Sequence, residues 1–255
     1  MGFKQFVRWI IDHTPFRPVH MGNFIRNLYL KKYLRKLPVH QFKKVLDAGC
    51  GSGSCALQVG KAFPGWQVTA VDIKDRDFPG ASMPNVDFHK QDLMTLKETG
   101  TYDFIYSIDV LEHIKGNITA IENLCRALKP GGYIFLHIPY DKNGNRIFPR
   151  RFFKKFDEWA AQEHIGEQYS TGELSEILKN MGFTIKSSAN TFGFPGTLAW
   201  ELNRICDRSF KLKVLLMPFL KLLAWVEVRT PHRKGSTLVL AQKTDNILHM
   251  TDEKC

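Results

Sequence analysis

Val45-Leu46-Asp47-Ala48-Gly49-Cys50-Gly51-Ser52-Gly53 decides how the rest of the sequence is read. Val45 and Leu46 follow two lysines and suit a short buried parallel strand, which Asp47 ends. Three glycines at alternate positions come next, and Ser54-Cys55-Ala56-Leu57 opens a helix. Without Cβ atoms, such a turn lets the backbone approach a ligand. It also aims helix N-terminal N–H groups at that ligand. A dinucleotide site wants Gly-x-Gly-x-x-Gly, whose third glycine would fall where Ser54 stands. Asp47, two residues before Gly49, would also repel a pyrophosphate. A cationic, phosphate-free ligand suits the loop better.

Asp-x-Gly-x-Gly-x-Gly after an apolar strand resembles motif I of the class I S-adenosylmethionine (SAM)-dependent methyltransferases. The resemblance implies an α/β, Rossmann-like, seven-stranded sheet, with SAM held by Asp47, Gly49, Cys50, Gly51 and Gly53. Val68-Thr69-Ala70-Val71 reads as a second buried strand ending at Asp72, from which a carboxylate can accept from ribose hydroxyls. Ile73 adjoins it in the implied cofactor set. After a third strand at 86–90, Asp92 and Leu93 look like the family's adenine-contacting pair. The fourth strand, Tyr102 to Ser107, resembles the one whose end faces both methionine and acceptor, which brings Ser107 and Asp109 into the set. Leu-Lys-Pro-Gly-Gly at 128–132, expected to stop the helix 118–128 before a fifth strand at 133–139, is another recurring element.

At 255 residues, one α/β domain with appendages is expected. No uncharged apolar run is long enough for a transmembrane helix, and neither a signal peptide nor a myristoylation pattern is read at the start. Five cysteines without a Cys-x-x-Cys pair point to reduced thiols and a cytoplasmic setting. The net charge of +11 is unevenly placed. Residues 1–44 carry Lys4, Arg8, Arg17, Arg26, Lys31, Lys32, Arg35, Lys36, Lys43 and Lys44 against Asp12 alone, and Arg146, Arg150, Arg151, Lys154 and Lys155 form a second cluster. Such patches suit an anionic membrane surface, a phosphorylated or carboxylated substrate or nucleic acid, and equally a plain solvated face.

Four segments are expected: a basic helical cap at 1–40, a SAM-binding core at 41–190, an apolar helical insertion at 191–236, and the last strand with its tail at 237–255. The cap divides into helices at 3–12 and 23–37. The proline- and glycine-bearing stretch 74–84 departs from the family, which places a helix there. A helix at 171–181 precedes a sixth strand at 183–186, and the resemblance puts the last strand, 238–241, antiparallel at the sheet edge. Residues 214–226 are strongly apolar but broken by Pro218 and Lys221. They fit a lid, a dimer surface or an in-plane membrane helix, which would make the chain peripheral at the inner membrane surface.

Methyl transfer from SAM needs an acceptor held in line with the departing sulfur, and an oxygen acceptor is helped by a base. His113 and His164 are the candidates, with Tyr140 third. Asp109-x-x-Glu112-His113 resembles an element of the ubiquinone-pathway O-methyltransferases, where such side chains can hold a divalent metal, so Asp109, Glu112 and His113 form an alternative metal set. A small-molecule or lipid-like acceptor, most often oxygen, is the leading expectation. An RNA methyltransferase fits the charge but lacks an Asn-Pro-Pro-Tyr-type signature after the fourth strand, so nucleic acid is disfavoured. A non-enzymatic scaffold is opposed by the intact acids. The sequence sets no oligomeric state.

Overall fold

The computed structural model describes residues 14–74, 83–140 and 146–244. The chain divides into two compact units, each assembled from separated stretches.

One unit comprises residues 37–140, 160–189 and 236–255 and is built on a seven-stranded sheet. Its strands are β1 (Lys44–Ala48), β2 (Gln67–Asp72), β3 (Val86–Lys90), β4 (Tyr102–Ile108), β5 (Leu128–Ile138), β6 (Phe183–Thr191) and β7 (Ser236–Lys243), in the spatial order β3-β2-β1-β4-β5-β7-β6. The pairs β3–β2, β2–β1, β1–β4 and β4–β5 are parallel, and β7 runs antiparallel to β5. Side chains alternate between faces. Leu46, Ile105, Ile134 and Leu136 meet Ile121 and Leu124 in one core cluster that also takes in Leu174 and Leu178. Ile121 and Leu124 belong to α3 (Ile118–Ala127), and Leu174 and Leu178 to α5 (Thr171–Asn180). Phe104 instead stacks on Phe42, which also packs against Trp66 and Tyr133. Between β1 and β2 runs α2 (Ser54–Ala62), entered through Gly53 in the left-handed region. Ser170 and Glu173 form a reciprocal capping box that starts α5.

Three expectations are corrected in this unit. The last strand is not at the edge: β7 lies between β5 and β6, and β6 is the edge strand. Its Leu238 to Ala241 are accordingly buried. The helix before β5 has no glycine cap, because Leu128 is already extended and the Lys-Pro-Gly-Gly stretch lies inside β5, beside a register shift against Tyr102 and Phe104. The sixth strand runs on to Thr191 rather than ending at 186.

The other unit comprises residues 1–36, 141–159 and 190–235 and is helical. It contains α1 (Met21–Leu34), α6 (Phe194–Cys206) and α7 (Phe210–Arg229), which pack on one another, and the start of α4 (Lys154–Glu163). α1 begins two residues before the expected 23, with the His20 ring accepting from the Asn23 N–H. It ends at Leu34, three residues short of the expectation. Pro218 does not break α7, which continues through it. Glu227 of α7 is fully buried and accepts from the Tyr29 hydroxyl (2.9 Å), the N–H groups of Gly193 (3.2 Å) and Gly196 (2.9 Å), and His232 Nε2 (3.0 Å). Burial alone would raise the Glu227 pKa. The hydrogen bond and charge of His232, with Tyr29 and Gly193, outweigh it and lower the pKa, while the same bond raises that of His232. The expected helix at 3–12, most of the irregular stretch 74–84 and the tail beyond 244 lie outside the described residues.

Candidate active site

The glycine loop sits at the C-terminal ends of β1 and β2, the edge at which open α/β sheets bind ligands. Gly49, Gly51 and Gly53 all have positive φ (85°, 57° and 73°). Their reasons for being glycine differ. A Cβ on Gly49 would stand 2.3 Å from Val110, and one on Gly53 2.5 Å from Phe88. A Cβ on Gly51 would meet nothing within 4 Å, so that glycine faces open space. The N–H groups of Gly49 and Cys50 both donate to the Val71 carbonyl (2.8 Å each), which ties the loop to β2. Asp72 Oδ2 accepts from Gly51 N–H and Oδ1 from Lys74 N–H, each at 2.9 Å. Each oxygen thereby keeps a lone pair for a further donor, such as a ribose hydroxyl. Ile73 beside it is exposed.

Asp47 is 4% exposed, and its Oδ2 accepts no hydrogen bond among the described residues. Burial pushes its pKa up to about 7; the neighbouring Asp72 raises it further, while Tyr106 and the Ala56 N–H hold it back. Asp47 is thus a buried carboxyl in the strand from which the glycine loop starts.

Other members of the expected cofactor set are engaged within the fold. Asp92 Oδ1 caps the next turn by accepting from Met94 N–H (2.9 Å). Leu93 belongs to the core cluster, and its carbonyl accepts from Asn123. The Ser107 hydroxyl is buried and donates to the Ala48 carbonyl (2.9 Å), joining β4 to β1. Asp109 has a left-handed φ of 54° and places Oδ1 2.6 Å from His137 Nδ1.

Beyond β4, a short turn at Leu111–His113 presents one candidate base, His113. The segment after α4 lies over this turn because residue 166 is glycine: its N–H donates to the Glu112 carbonyl (2.8 Å), and a Cβ there would stand 2.4 Å from the carbonyls of Leu111 and Ile114. Asn117, fully buried, locks the arrangement by donating to the carbonyls of Leu111 and Glu167 and accepting from the Tyr169 hydroxyl (2.7 Å). The result brings the His113 and His164 rings together, edge to face, with centroids 5.1 Å apart. His113 Nδ1 lies 3.0 Å from the Glu163 carbonyl. A carbonyl only accepts, so the proton sits on Nδ1 and the lone pair of the neutral ring on Nε2. Glu112 Oε1 is 3.7 Å from that nitrogen, and Glu112 is 1% exposed.

The candidate metal set is therefore recomposed. Glu112, His113 and His164 place their ligand atoms within 4.8 Å of one another, whereas Asp109 turns to His137. One carboxylate and two imidazoles suit a divalent cation of borderline softness. Tyr140, just past β5, is half-buried. His137, Gly166 and Asn117 carried no expectation from sequence; Asn117 and Gly166 act on residues close along the chain or across a loop, without a motif to mark them.

The strand order, glycine loop and acids at successive strand ends define a class I SAM-dependent methyltransferase fold. A family model described as a methyltransferase domain matches residues 21–188, and the chain belongs to that family. Among curated proteins it is 30% identical over 137 residues to the ubiquinone biosynthesis O-methyltransferase of Dechloromonas aromatica, covering 51% of this chain and 56% of that protein. It is 33% identical over 137 residues to the protein of the same name in Xanthomonas oryzae pv. oryzae, covering 51% and 55%. The match spans just over half the length of these relatives. Among solved structures, the phosphoethanolamine N-methyltransferase 2 of Haemonchus contortus, in complex with SAM, superposes with a TM-score of 0.59 at 21% identity, over 96% of this chain and 60% of that one. At that identity the likeness speaks to the fold.

Proposed function

We propose that this chain transfers a methyl group from SAM to an oxygen of a small, lipid-like acceptor, with His113 as the base. The observation that carries the reading is the pairing of a cation-ready glycine loop, Asp47 and Asp72 with an oriented imidazole on the turn that packs against that loop through Val110. When bound, SAM supplies an activated methyl on a sulfonium. Asp72 receives ribose hydroxyls on the lone pairs that Gly51 and Lys74 leave open. Asp47 offers its negative charge beneath the loop. Asp92 is the candidate for the adenine amine. His113 Nε2 accepts the acceptor hydroxyl's proton while the Glu163 carbonyl steadies the Nδ1–H, and His164 flanks the ring. The O-methyltransferase names of the relatives support oxygen as the acceptor.

A divalent ion at Glu112, His113 and His164 is a second reading, favoured by their convergence. It would lower the pKa of a phenolic acceptor. Methyl transfer to catechol-type phenols separates the two. Loss of about 100-fold or more in kcat for His113→Ala, with SAM affinity kept, supports the base. Recovery of activity from chelation by added metal supports the ion. Methylation of RNA in place of phenols would refute both.

The helical unit supports a peripheral association with anionic membrane. α7 buries Met217, Leu220 and Ala224 on one face, and on the opposite face it leaves Leu212, Leu215, Phe219 and Leu222 exposed at helical spacing, Leu215 by 67%. Lys211 and Arg229 adjoin that stripe. No helix among the described residues is long and apolar enough to cross a membrane. A stripe of this kind fits the headgroup boundary. Co-sedimentation with anionic vesicles should fall for Leu215→Asp with Leu222→Asp, which leave the buried face intact. Undiminished binding would refute the assignment.

A further inference from the structure

The methyl-transfer reading leaves the arginine- and phenylalanine-rich stretch 146–156 and the outer end of α6 without a role. Two guanidinium groups there stand on the same aromatic cluster. Arg146 lies 4.8 Å from the Phe153 ring centroid and 5.1 Å from that of Trp200. It has carboxylate partners, pairing with Asp157 and reaching Glu201 at 4.0 Å. Arg204 lies 4.3 Å from the Phe156 centroid and 5.0 Å from that of Trp200. It has none: no carboxylate among the described residues is within ion-pair distance, and its Nε is closed to solvent without an acceptor. Asp207, three residues on, pairs with Lys213 instead.

Arg204 is one wall of a cavity of about 390 Å³. Arg151, Lys154, Lys155 and Arg208 line it too, and none of the described lining residues is acidic. Among the described residues, Lys154 alone of the five cations has a carboxylate neighbour, Glu158 at 3.8 Å on the surface. The remaining lining is phenylalanine, including the buried Phe153. The first turn of α4 contributes Lys154 and Lys155, so its N-terminal end adds to the positive potential. Concentrating this much like charge around an aromatic floor is unfavourable until an anion enters. Burial depresses the Arg204 pKa, and Arg146 and Arg26 add to the effect, which Asp207 and Asp157 oppose. Guanidinium forks are the side chains best matched to phosphoryl oxygens.

We propose that this cavity binds a phosphoryl anion carried on an apolar body, held by the half-buried Arg204 together with the exposed Arg151, Lys155 and Arg208. The phosphoryl group can belong to a lipid headgroup or to a soluble phosphate ester, and both present the same oxygens. The site does not rest on the methyltransferase reading, because none of its residues belongs to the sheet unit that holds the glycine loop.

The test uses the full chain and two probes. One is sn-glycerol 3-phosphate, titrated calorimetrically. The other is vesicles containing about a third phosphatidylglycerol, compared with neutral vesicles. Arg204→Gln, and separately Arg151→Gln with Arg208→Gln, should weaken binding of at least one probe about tenfold or more. Lys31→Gln with Arg35→Gln, which removes two positive charges at the C-terminal end of α1, should stay within about twofold. Binding of the soluble ester that the arginine variants weaken identifies a free ligand, and vesicle binding that they weaken, with the ester unbound, identifies a headgroup; either supports the site, whereas vesicle binding that survives them belongs to α7 and overturns it. No binding of either probe overturns it. Equal weakening by the α1 variant also overturns it, because the attraction would then be diffuse. SAM titration of each variant checks folding. Loss of SAM binding in the wild type with phosphoryl binding kept would remove the methyltransferase reading and leave this one standing.

Discussion

Replacing Asp47 with asparagine asks whether the glycine loop is built around a cation. The folded protein holds this carboxyl at about 7, against an ordinary 3.8, chiefly through burial. That rise corresponds to on the order of 4 kcal/mol against the ionised form. Because the folded-state pKa is the higher one, ionising Asp47 works against the fold, and the cost accumulates as pH rises from about 4 to about 7. Asp47→Asn removes the charge and keeps the shape, so Tm at pH 8 should rise, with little change at pH 4. Cofactor affinity should move the other way. With a pKa near 7, about 3% of the protein is ionised at about pH 5.5 and about half at pH 7. If the cation binds the ionised form, calorimetric SAM affinity should strengthen ~15-fold across that window, and the asparagine variant should lose that slope. Asp47→Asn with an unchanged pH slope, or a wild type with a flat one, would refute the role given to this acid.

Three further outcomes are expected. Gly51→Ala should fold at a cost of roughly 1–2 kcal/mol from its positive φ, yet lose SAM affinity because its Cβ enters the open space; Gly49→Ala, driven into Val110, should fail to accumulate as folded protein, as circular dichroism would show. Asp72→Ala should weaken SAM binding about tenfold or more with the far-ultraviolet spectrum unchanged, and unaltered affinity would sink the ribose assignment. His232→Ala strips the buried Glu227 of its cation and should cost roughly 3–5 kcal/mol. Since the His232 pKa is raised and that of Glu227 lowered, this loss, measured by denaturant melts, should be complete near pH 6 and should shrink as pH climbs through the raised value.

What was legible in the sequence was local. Val45-Leu46, the alternating glycines and the acids at 47 and 72 lie within or next to one strand-turn-helix unit, so their spacing carries their geometry. Side-chain partnerships made across the fold were not legible. β5 brings His137 beside Asp109, and β1 presents the Ala48 carbonyl to the Ser107 hydroxyl, pairings that no local spacing announces. His113 and His164 were each picked out, but their meeting depends on Gly166 tolerating two carbonyls where any side chain would clash. Asp47 was read as a charge; its burial, which makes that charge conditional on pH, comes from Val45, Leu46 and Ala48 being closed in by neighbouring strands. The interior position of β7 is not legible in its apolar tetrapeptide, which fixes which residues are buried but not which neighbours bury them.

That position also orders events during synthesis. β7 pairs with β5 along six successive residues, from Tyr133 with Gln242 to Ile138 with Thr237, and separates β5 from β6. A ribosome makes β5 and β6 well before residues 236–243 exist, so the nascent sheet has a gap between two strands already in hand. Until the gap is filled, β5 presents an open row of amides and carbonyls alongside Ile134 and Leu136, the kind of edge on which chains aggregate or which chaperones hold. Closure of the sheet is thus a late event, made by the last of its strands to be translated, and a ribosome that stalls short of residue 243 leaves the sheet unclosed rather than slightly shortened.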